Sequence, residues 1–143
     1  MPLRLAGIPL HPAFVHYPIA AWTGASLFSF AAVIFDMPPA GVIAKWCNVT
    51  GLMTALPAMA SGFMELVQLQ DRQSKMTAAS HMLIMMSSFS AYALMLLCQY
   101  LSLRAAALVM GTAGFILLVI GGHKGARLVY HFGIHNHTGA NSA

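Results

Sequence analysis

Charge is the scarcest property of this chain. Three acidic and seven basic side chains occur in 143 residues, so 7% of the sequence is charged, against about 25% in ordinary soluble domains. With 59% hydrophobic residues and a mean hydropathy of +0.74, the chain cannot dress a water-soluble surface. It reads as an integral membrane protein. No polar stretch is long enough to form a second domain, so residues 1–143 make one unit. Cysteine is scarce too: Cys47 and Cys98 stand alone in separate apolar segments, which excludes a metal-binding spacing and a disulfide framework. There is no Ser-His-Asp arrangement, phosphate-binding glycine loop or dinucleotide fingerprint. The net charge of +4 comes from cations flanking apolar runs, which argues against nucleic acid as a partner. No internal repeat or low-complexity linker is evident.

What the chain does have is length of apolar run. About 20 apolar residues cross a bilayer as a helix, and four segments meet that ruler, at residues 12–35, 42–69, 76–101 and 103–130. The first is longer than a signal-peptide core and reads as retained. Pro12 suits a first helical turn with His11 at the cap, and Pro18 and Pro57 are expected to bend their helices, the former turning His16 inward. Gly51, Thr54, Ala58, Ser61 or Gly62, and Glu65 recur at threes and fours, a small-residue face that lets another backbone or a flat ligand approach. His81 is followed on its own face by Met85, Ser88, Tyr92 and Met95. Residues 68–75 form the polar loop, and a histidine-rich tail, 131–143, leaves the membrane. The fold class is therefore all-α, a transmembrane up-down-up-down four-helix bundle.

That connectivity returns the starts of helices one and three and the ends of helices two and four to one side. His16, Glu65, His81 and His123 then lie at similar depth, with His11, His131, His135 and His137 nearer water. Ionisable side chains in apolar spans are costly and point to function. Arg4, Arg72, Lys75, Lys124 and Arg127 lie on this side, against Lys45 and Arg104 on the other, so the positive-inside rule places the histidines and both termini in the cytoplasm.

His11-Pro12-x-x-Val15-His16-x-Pro18-Ile19 resembles the opening motif of a family of small bacterial four-helix membrane proteins known as domain of unknown function 2231, with Tyr17 where Phe is usual. Gly62-Phe63-Met64-Glu65, His81 and Gly125-Ala126-Arg127-Leu128-Val129-Tyr130-x-x-Gly133-Ile134 resemble its later motifs, with Ala126 and Ile134 as mild departures. The resemblance implies the fold and a bacterial inner membrane location. It implies almost no activity; association of relatives with Rieske-type domains hints at redox work.

The chemistry expected from the residues is a b-type haem held between His16 and His81 on diagonal helices, with His11 and His123 near it and Arg72 or Arg127 on its propionates. Electron transfer to or from quinol or a redox protein, or redox sensing, would follow. Two other readings stay open. One is a Zn, Fe or Cu ion held directly by His16, His81, His123 and Glu65, with His11 as substitute, for metal handling or hydrolysis; Met82, Met85 and Met86 raise copper. The other is a non-catalytic assembly subunit, and a homo-oligomer is compatible with any of the three.

Overall fold

The computed structural model describes residues 4–5 and 8–130. A short antiparallel pair, β1 (Arg4–Leu5) and β2 (Ile8–Pro9), precedes four helices, α1 (Leu10–Ile34), α2 (Pro38–Gln68), α3 (Arg72–Tyr100) and α4 (Arg104–Tyr130). The strand pair was not foreseen from sequence. Every helix begins at or before the residue expected from hydropathy except α4, because that ruler measures the lipid and not the caps. Pro38 and Pro39 open α2 where a missing N–H costs nothing, and Asp71 caps α3 by accepting the Ser74 N–H at 2.7 Å. The polar loop shrinks to 69–71. Helix α1 runs through Pro18 and α2 through Pro57 without a break in assignment.

Helices α1, α3 and α4 are each long and apolar enough to cross a membrane. Helix α2 is the longest of the four, and it buries the polar residues Asn48 and Ser61. It pairs along α1 as α4 pairs along α3, giving two close antiparallel hairpins. The hairpins meet through the thinner α1·α4 and α2·α3 seams, which leaves α1 and α3 diagonal. Three-residue connectors close both hairpins, and each carries one residue in left-handed backbone at its centre, Asp36 (φ 48°) and Ser102 (φ 57°).

The two hairpins repeat a set of contacts at corresponding positions. In the first helix of each, His11 corresponds to His81, Pro18 to Ser88, Trp22 to Tyr92 and Ala25 to Met95, each pair seventy residues apart. In the second, Ala44 corresponds to Ala107, Asn48 to Gly111, Gly51 to Gly114, Ala55 to Leu118, Ala58 to Gly121 and Gly62 to Gly125, each pair sixty-three apart. Contacts repeat with the residues. Trp22 packs on Gly51, where a Cβ would come within 2.4 Å of its ring, and Tyr92 packs on Gly114, where a Cβ would come within 2.9 Å. The Trp22 and Tyr92 rings stack across the middle of the bundle, 4.6 Å apart and 4° from parallel, on a pseudo-twofold axis running along it. Tyr92 Oη lies 2.8 Å from Ser26 Oγ and donates to the Trp22 carbonyl at 3.2 Å. Ala25, Ala55, Met95, Ala107 and Leu118 complete this core.

Candidate functional site

Eleven residues before the Trp22–Tyr92 layer in each hairpin stands a histidine, hence about 16 Å along the helices at 1.5 Å per residue. His11 donates its Nδ1–H to the Ala58 carbonyl of α2 at 2.8 Å, and His81 donates its Nδ1–H to the Gly121 carbonyl of α4, also at 2.8 Å. A carbonyl oxygen only accepts, so each contact places a proton on Nδ1. Four residues beyond each accepting carbonyl is a glycine. A Cβ on Gly62 would lie 2.8 Å from His11 Cε1, and one on Gly125 3.0 Å from His81 Cε1. Each imidazole therefore lies flush against its partner helix by the Cε1–Nδ1 edge. The two rings meet edge-on between the hairpins, with centroids 6.4 Å apart and planes at 84°.

Around this pair opens a cleft of about 510 Å³ between the hairpins. Trp22, Ala55 and Leu118 line its inner part, and Glu65, Leu69 and Tyr130 its outer part. Glu65 breaks the internal symmetry, standing where the second hairpin has the buried Leu128. One of its carboxylate oxygens, Oε1, is buried without a hydrogen-bond partner among the described residues. On the other hairpin Lys124 donates to Ser80 Oγ at 3.2 Å, in the position that Ser61 holds in the first.

The geometry redistributes the residues singled out by sequence. The expected axial pair was His16 with His81; the rings that meet are His11 and His81. His16 borders the cleft but is exposed, because five residues along a helix turn it well away from His11, and unbroken passage through Pro18 does not swing it back. His123 is exposed and does not line the cleft. Arg72 and Arg127 are exposed at the same end of the bundle. No three His, Cys, Asp or Glu side chains are placed to hold a metal ion among the described residues; His131, His135 and His137 lie outside those residues. Cys47 and Cys98 are free thiols, partly buried.

Sequence reasoning set His11 at a helix cap and beside the haem, with His16 as the ligand in its place, and missed Trp22 as a site wall. The signal that finds both is a spacing: histidine, ten residues, aromatic in α1 and α3, opposite glycine, ten residues, glycine in α2 and α4. No curated protein and no solved structure matches the chain. The family model described as Predicted membrane protein (DUF2231) matches residues 7–138, and on that match the apolar bundle with its paired histidines belongs to this membrane-protein family.

Proposed function

We propose that the cleft holds a b-type haem with His11 and His81 as axial ligands, and that the protein passes single electrons within the membrane. The observation that carries this is the imidazole pair. Two metal–nitrogen bonds of about 2.0–2.1 Å, plus the ring radii, separate the centroids of trans imidazoles by about 6 Å, and the separation here is 6.4 Å. Metal-bound histidines characteristically give their other N–H to a carbonyl or carboxylate, as both Nδ1 atoms do here. Iron in a porphyrin needs only two ligands from the protein; a bare ion in a closed site needs about four. Two nitrogens related by the internal twofold suit the former. The cleft of about 510 Å³, lined by the small residues Ala55, Ala58, Gly122 and Ala126, is in the usual range for such ligands.

The haem would supply one-electron chemistry. The chain's residues bind and orient it through Nε2 of His11 and His81, exclude water with Trp22 and Leu118, and offer Arg72 and Arg127 at the open end for its carboxylates. The excess of cations there supports an orientation with this end towards the cytoplasm, in a bacterial inner membrane. Quinol or a redox protein is the proposed electron partner. Titrating haem into the purified apoprotein tests the reading: one equivalent per chain should bind with an absorption spectrum of six-coordinate iron. Failure to bind, with the fold intact, would leave the bundle as an assembly subunit.

A further inference from the structure

The opposite end of the bundle carries a second cleft, of about 540 Å³, where α1 and α3 end and α2 and α4 begin. We infer that it binds the phosphate of an anionic phospholipid in the leaflet facing away from the histidines. Lys45 and Arg104 line it and are the only lysine or arginine at that end. Asp36 is the one acid against them, bonded to Arg104 at 2.9 Å. Both of the Arg104 bonds, to Asp36 and to the Ala32 carbonyl, leave from Nη2, so Nε and Nη1 keep their donors for another anion. Lys45 Nζ lies 3.5 Å above the Tyr100 ring, a contact with a π face that leaves its N–H groups without an oxygen among the described residues.

Two neutral donors point the same way. Ser29 is 5% exposed and lines this cleft, yet its hydroxyl has no hydrogen-bond partner among the described residues. Gln99 accepts from Asn48 Nδ2 at 3.3 Å through its oxygen, and its amide N–H groups find no partner among the described residues. A hydroxyl that no protein group engages is open to an acceptor brought by a ligand. Phosphate oxygens satisfy this donor set, in which nothing but Asp36 carries negative charge. Val33, Val42 and Val49 form apolar walls for the start of an acyl chain, while exposed Trp46 and Tyr100 mark the headgroup level. Basic pockets between membrane helices recognise anionic headgroups by the same physics.

Thermal unfolding of the full chain in a neutral detergent, with phosphatidylglycerol, phosphatidylcholine, inorganic phosphate or decyl-ubiquinone added, tests this. Phosphatidylglycerol alone should raise the unfolding temperature, by about 5 °C at saturation. The shift should vanish in the Lys45→Gln, Arg104→Gln double variant and persist in Lys75→Gln, a cation at the other end. Because loss of the Arg104–Asp36 bond could itself unfold the bundle, native mass spectrometry of the wild-type chain and of Ser29→Ala gives a second reading. Retained phosphatidylglycerol should exceed phosphatidylcholine about tenfold in the first, and fall in the second. Equal retention of the two lipids, equal protection by inorganic phosphate, or protection by the quinone instead, overturns the inference.

Discussion

Gly62 and Gly125 show how much of the site rests on the absence of a methyl group. A Cβ at either position would meet an imidazole carbon at 2.8 or 3.0 Å, so the ring must leave its carbonyl or the helices must part. Gly62→Ala and Gly125→Ala should each cost about 1–3 kcal/mol by overpacking and weaken haem binding. Gly122→Ala, with nothing within 4 Å of the new atom, should instead stabilise by about 0.5–1 kcal/mol through helix propensity. Thermal unfolding of the three variants decides, and equal costs would show that the glycines are not cradling rings. The histidines themselves were legible from sequence as costly polar groups in apolar helices. Which two of them meet was not, because helical depth is set by counting residues, whereas facing is set by rotation about the axis. His11 and His16 differ by five residues, little in depth and much in direction.

At the scale of the element, the boundaries carry their own chemistry. Asp71 lies in the turn between hairpins, and its carboxylate is held below its ordinary pKa first by the Ser74 backbone N–H and then by the Ser74 hydroxyl. A folded value below the unfolded one means that the cap stabilises fully above the unfolded carboxylate value of about 3.9, and that this is lost as pH falls through the lower folded value. The gap in unfolding temperature between wild type and Asp71→Ala should be constant at neutral pH and shrink below about pH 4; a gap unchanged to the acid limit of the fold would rule out the cap. Four apolar runs made the four helices readable in advance. The true starts of α2 and α3 were not, since Pro38 in the first turn and the Asp71 cap act through helix-end chemistry that hydropathy does not register. In the middle of the bundle, Gly51 accepts the edge of Trp22 so closely that Gly51→Ala should force the Trp22–Tyr92 stack apart. A red shift and loss of quenching in Trp22 fluorescence is the expected sign, read against the unchanged exposed Trp46.

As a whole the molecule is two hairpins that each build half a site. The correspondence of contacts is not evident in the sequence because its two helices correspond at different intervals, seventy and sixty-three residues, and because the matched positions trade chemistry: Trp22 for Tyr92, Pro18 for Ser88, Glu65 for Leu128. Each hairpin satisfies its own histidine internally, to Ala58 or to Gly121, so the halves should survive separation of the chain between them. Cleavage of the folded protein at a protease site inserted at Gln70 should leave both fragments co-eluting with the site intact, and dissociation into single hairpins would count against so modular a bundle. The central claim is that one ligand from each hairpin grips one iron. Reduced-minus-oxidised absorption spectra of the haem-loaded wild type and of His11→Ala, His81→Ala and His16→Ala test it most directly. The six-coordinate difference bands should be lost in the first two variants and kept in the third; bands that survive His11→Ala but vanish in His16→Ala would contradict the account.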